Sequence, residues 1–106
     1  MKEPPEPLAP KLVTIYWRDI PAQVTAQNGR NRERALLGAR FQHAIDRAAT
    51  VAGLTSTDEY VAEWRRVTAA CGADMPAAVA AESARLDEEY PPDRLERLVR
   101  SGGAED

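Results

Sequence analysis

Side chains able to do covalent chemistry are scarce in this chain. His43 is the only histidine and Cys71 the only cysteine among 106 residues. One copy therefore assembles neither a Ser-His-Asp relay nor a zinc site of His/Cys type. His43 lies away from the apolar stripe of its predicted helix and reads as a surface side chain. Cys71 has no CxxC partner and ends an apolar stripe, where a cysteine is usually a small buried hydrophobe. The acidic run Asp87, Glu88 and Glu89 points in three directions around a helix, with Arg85 close by, and reads as a solvated face rather than a cation site. HExxH, GxSxG and glycine-rich phosphate loops are absent.

The remaining chemistry is recognition. Tyr16, Trp17, Arg18 and Asp19 concentrate the aromatic and charged groups that dominate interfaces. The plainer reading of the same segment puts Trp17 in the core and makes Arg18 and Asp19 a local ion pair. Arg30, Arg32 and Arg34 fall on alternate positions of a predicted strand, with Arg40 beyond. Guanidinium groups so arrayed suit phosphate, an acidic protein surface or a carboxylate-rich cofactor tail, or else protect a sheet edge by charge. The candidate partner-binding residues are Tyr16, Arg18, Asp19, Arg30, Arg32 and Arg34. No catalytic residue, metal ligand or resident cofactor is expected.

The elements that must position these groups follow from periodicity. Four prolines within residues 1–10 remove donors and favour extended backbone, giving a Pro-rich arm. From Leu12 the side chains alternate, with Val13, Ile15 and Trp17 on one face and Thr14, Tyr16 and Arg18 on the other, up to Pro21, as in a strand. Ala22 to Gln27 alternates again and meets Asn28-Gly29, the dipeptide favoured in tight hairpins because the turn needs positive φ. The returning strand, Arg30 to about Leu36, is poor in apolar residues and reads as an edge.

The period then becomes helical. Phe41, Ile45, Ala48, Ala49 and Ala52 predict a helix over 39–52 ended by Gly53. Ser56 with Glu59 has the capping-box pattern, and Val61, Trp64, Val67, Thr68 and Cys71 share a stripe, predicting a second helix over 57–71 in which Trp64 is core. Asp74 and Pro76 open a third helix with Val79, Ser83, Leu86 and Tyr90 on one side. After Pro91 and Pro92 a short fourth helix, 93–100, turns Leu95, Leu98 and Val99 inward, and the residues beyond Gly102 and Gly103 are expected to fray.

The expected fold class is α+β: a small antiparallel sheet of two to three N-terminal strands covered by three to four helices. Residues 11–101 form the single domain, flanked by the arm 1–10 and a flexible tail, 102–106. Trp17, Ile15, Ile45 and Leu98 are expected in the core. The net charge of −3 is uneven: residues 11–50 hold seven basic and three acidic side chains, residues 51–106 six and twelve. Such a field steers partners of opposite sign, but nucleic acid normally asks for more basic excess and an aromatic platform in the same patch. A lone cysteine and the absence of a signal peptide or an apolar run of membrane-spanning length point to a cytoplasmic chain without a membrane partner.

The segments VTIYWRDIPAQVTAQNGR, RFQHAIDRAA, DEYVAEWRR and EEYPPDRLERLV resemble a bacterial family described simply as "virulence factor", over about residues 12–101. The YWRDIPAQV segment is the most distinctive part. The resemblance implies a domain found alone or beside scaffold-like and HEAT-repeat domains, in the company of genes of folate and corrinoid one-carbon metabolism. It supplies no catalytic residue. Together with the missing catalytic groups, it makes a non-catalytic accessory or protein-interaction module the first functional expectation, with an enzyme of one-carbon metabolism as a partner. A binder of a small molecule or phosphate-bearing cofactor, using the arginine-lined edge, is the second.

Overall fold

The structure, a computed structural model, describes residues 10–105. The Pro-rich arm lies almost wholly outside them. Three antiparallel strands run in sequence, β1 (Lys11–Trp17), β2 (Ile20–Asn28) and β3 (Asn31–Leu36). Helix α1 (Ala39–Ala52) and the short α2 (Thr57–Ala62) follow, then a fourth strand, β4 (Trp64–Ala70), and the helices α3 (Met75–Glu89) and α4 (Pro92–Arg100). The sheet order is β3-β2-β1-β4, so the first strand made is an inner one.

The α+β class and the N-terminal hairpin agree with expectation; the sheet has four strands rather than two or three. The extra strand replaces most of the predicted second helix. Ser56 does cap α2, its Oγ accepting from the Glu59 N–H, but the helix stops at Ala62. The Trp17 ring stacks on Tyr60, and the Trp17 Nε1–H donates to the Tyr60 carbonyl at 2.8 Å. With α2 held there, the chain drops into register beside β1, from Trp17↔Trp64 to Lys11↔Ala70. A ladder along an otherwise unpaired strand outweighs the helical spacing of Val61, Trp64 and Val67, because propensity is a weak prior against tertiary pairing.

The hairpin turn also sits one residue later than the Asn-Gly rule places it. Asn28 pairs with Asn31, so Gly29 and Arg30 are the central residues, with Gly29 at φ +64°. Arg30 is thus in the turn and only Arg32 and Arg34 are in the strand.

Helices cover one face of the sheet. α3 crosses β2 and β3, and α1 packs on β2 and on α4. Beneath them lie Val24 and Ala26 of β2, joined by Leu12 of β1 and Ala35 of β3. Thr14, opposite Val24, is buried as well. The face expected inward is therefore the outer one over most of β1: Ile15 is half-buried on the uncovered side and is not a core residue. Trp17 is fully buried all the same, since different elements wrap the end of the strand. Phe41, Ile45, Leu86 and Leu98 complete the core.

Helix α1 matches its predicted bounds and ends at Gly53 in the left-handed region. α3 begins at Asp74, whose Oδ1 accepts from the Ala77 N–H at 3.1 Å, satisfying one of the orphan donors of the first turn. Asp74→Ala is expected to lower the melting temperature by about 4–8 °C, the shift a typical N-cap loss produces in a domain of this size. An unchanged thermal melt would show that the cap contributes nothing to holding α3 in place.

Residues beyond α4 are not a fraying tail as far as Glu105. Gly102 and Gly103 are buried, and the Gly103 carbonyl accepts from the Asp19 N–H at 2.9 Å. The Glu105 carboxylate takes both the Nε and NH2 donors of Arg94 at 2.8 Å.

Candidate interaction faces of the sheet

The structure splits the six recognition residues into two groups. Tyr16, Arg18 and Asp19 gather at one corner, where β1 turns into β2. Arg18 occupies the left-handed region at φ 55°, an uncommon position for a residue with a side chain. Several bonds hold it there. Its Nε donates to the Glu63 carboxylate at 3.0 Å, its NH1 to the Gly102 carbonyl at 3.1 Å, and its backbone N–H to the Glu63 carbonyl.

Asp19 accepts from the Arg65 guanidinium at 3.1 Å and from the Glu105 N–H. Arg18 and Asp19 thus pair with Glu63 and Arg65 rather than with each other, and both bind distant parts of the chain together. Tyr16 is half-buried on the helix-covered face, with the Arg65 guanidinium 4.6 Å from its ring centre. Burial holds its hydroxyl above the ordinary tyrosine range, against the opposing pull of Arg85 and Arg65.

At the same corner β4 begins. Trp64 is half-buried against the Tyr60 ring, but Arg65 through Ala70 are exposed on both faces of the strand. β1 occupies one edge of β4; the other is the open end of the sheet. Sequence reasoning missed this surface because it placed the segment on a helix. The β-branched pair Val67-Thr68 inside WRRVTAA is the signal that was available.

The second group is on the uncovered sheet face. Arg34 lies in register with Thr25 and Val13, Arg32 with Gln27, and Ile15 with Gln23 on one side and Arg66 on the other. These side chains line a shallow concavity of about 450 Å³ with Val13 and Ile15 in its floor. Arg66 was not among the expected recognition residues. Arg30, which was, stands apart at the exposed hairpin tip.

His43 is exposed on α1 and Cys71 is half-buried. Asp87 pairs with Arg40, and Glu89 with Arg85. Among the described residues no cluster of His, Cys, Asp or Glu is suited to hold a metal ion, and no helix is long and apolar enough to cross a membrane.

Fold and surface together define a four-stranded antiparallel α+β domain, helices on one sheet face and an arginine-lined concavity on the other. The chain belongs to the virulence factor family, whose model matches residues 15–99. No curated protein and no solved structure shows significant similarity to it.

Proposed function

We propose that the domain is a non-catalytic interaction module that docks on another protein through the β4 end of its sheet. The observation that supports this most directly is the exposure of Arg65–Ala70 on both faces of an edge strand. Natural edge strands are normally blunted by lysine, proline, bulges or inward charge, because their unpaired N–H and C=O groups are a template for a further strand. β3 follows that rule with alternating arginines. β4 carries Arg65 and Arg66 only at its start and continues as Val67-Thr68-Ala69-Ala70 with nothing to repel a neighbour.

A partner segment added antiparallel to β4 gains main-chain hydrogen bonds and a place for its side chains beside Val67 and Ala69. The corner formed by Tyr16, Arg18, Asp19 and Arg65 bounds one end of that surface and fixes where such a segment starts. The partner class suggested by the family resemblance, an enzyme of folate or corrinoid one-carbon metabolism, is the first to test.

The test is binding of the purified domain to such an enzyme, using wild type and Val67→Lys/Ala69→Lys. Both positions are exposed, so the variant is expected to melt like wild type. Its affinity should fall at least about tenfold, or about 1.4 kcal/mol. Equal affinities would remove the β4 edge from the docking surface. Turnover of a substrate by the isolated domain would overturn the non-catalytic reading itself.

A further inference from the structure

The twelve arginines of the chain divide unequally. Eight make ion pairs with carboxylates. Among the described residues the other four, Arg30, Arg32, Arg34 and Arg66, pair with none, and three of these four line a single concavity on the uncovered sheet face. Arg32, Arg34 and Arg66 border the same concavity, and like charges on one surface without a counter-ion raise the local potential for anions.

We infer that this concavity is a binding site for a small phosphate monoester with an apolar body. The geometry assigns a part to each residue. Arg32 and Arg34 are two apart on one strand and therefore share a face, forming one wall. Together they present more N–H donors than the two oxygens of a carboxylate accept, whereas the three terminal oxygens of a phosphate monoester can take bonds from both forks. Arg66 lies three strands away, a span of about 14 Å at ordinary strand spacing. The floor between the walls is Val13, which is buried, and Ile15, which is half-buried, a strip that favours apolar surface.

Thr25 and Gln27 stand beside the phosphate wall, and Gln23 lies in register with Ile15, offering hydroxyl and amide groups to polar edges of the ligand. A volume of about 450 Å³ falls within the range of small-ligand sites. The inference does not depend on docking at β4: it concerns the sheet face, and Arg66 is the one residue of that strand it uses.

The probes are phenyl phosphate, inorganic phosphate and benzoate, titrated at low ionic strength into the full-length 15N-labelled chain and followed by amide chemical shifts. Phenyl phosphate is expected to saturate, with the largest shifts at Val13, Ile15, Thr25 and Arg34, and to bind more tightly than either other probe. Arg32→Gln/Arg34→Gln should weaken it at least tenfold and leave the rest of the spectrum in place. Arg97→Gln, which removes an exposed arginine paired with Asp93 on α4, should leave its affinity unchanged. Absence of saturable shifts, equal binding of benzoate or of inorganic phosphate, or an equal loss in Arg97→Gln would each overturn the assignment.

Discussion

Gly103→Val is expected to remove much of the stability of the domain, although the residue lies beyond the last helix. Gly103 sits at φ +94°, where residues with side chains are strained, and a Cβ built there would stand 2.9 Å from Trp17 Cζ3 and 3.2 Å from Cε3. The atoms it meets belong to a rigid indole with no exposure, which cannot swing aside. Backbone strain of about 1–3 kcal/mol and overpacking of about 1–3 kcal/mol together approach the lower end of the total of about 5–15 kcal/mol available to a domain.

The expected result is a melting temperature lower by roughly 10–50 °C, at about 4–8 °C per kcal/mol. Gly72→Val is the matched control. A Cβ at Gly72 meets nothing within 4 Å, and its φ is not in the left-handed region. Its melt should stay close to wild type. If Gly103→Val also melted within a few degrees of wild type, the packing of the C-terminal segment onto Trp17 would be disproved.

Trp17→Ala should be as damaging, for a different reason. The ring is fully buried, stacks on Tyr60 with centroids 5.6 Å apart, and ties α2 to the sheet through its indole N–H. Truncation loses the transfer energy of a large aromatic side chain and leaves a cavity, together costing about 3–5 kcal/mol. It also removes the indole donor from the Tyr60 carbonyl, which then keeps only the longer bond from the Glu63 N–H at 3.3 Å. Trp17→Phe separates these contributions: it keeps a ring in the cavity and loses only the donor and part of the volume. The expected order of urea midpoints is wild type, then Trp17→Phe, then Trp17→Ala, which is expected to be largely unfolded or nearly so. Equal midpoints for the two variants would mean that the hydrogen bond, not the filled volume, holds this corner.

The two residues behind these predictions were unequally legible in the sequence. Trp17 is a bulky aromatic in an alternating strand, and its burial follows from local pattern. Gly103 follows a helix and precedes a short acidic end, so nothing nearby in the chain shows that it closes against a residue 86 positions earlier in the sequence. The same contrast runs through the fold. α1 has a complete apolar stripe and a glycine stop and matches its expected bounds, and the β2–β3 hairpin has its turn residues and forms as expected apart from a one-residue shift of the turn.

Val61, Trp64, Val67 and Cys71 are spaced as a helix would space them, and only the vacant side of β1 makes the segment from Trp64 a strand instead. The inward face of β1 is hidden from local pattern for a related reason. Val13 and Ile15 look like the core side until the helices, placed by their connections, cover Leu12 and Thr14 instead. In the recognition set, Arg32 and Arg34 were visible as alternating charges. Arg66 joins them only through the pairing of β4, and Arg18 and Asp19 are used up by partners more than forty residues away.

The position of β1 inside the sheet has a consequence for biosynthesis. β1, β2 and β3 leave the ribosome consecutively and can pair at once, but the far side of β1 is completed only when Ala70 has been made, 53 residues after Trp17. At about 5–20 residues per second that interval is roughly 3–10 s. From the completion of Leu36 onward, about 2–7 s of that interval, a three-stranded intermediate presents β1, the most apolar strand of the sheet, as an open edge. The nascent chain is therefore most vulnerable to wrong pairing before β4 arrives, and the strand most exposed in the finished domain is the one that ends that vulnerability.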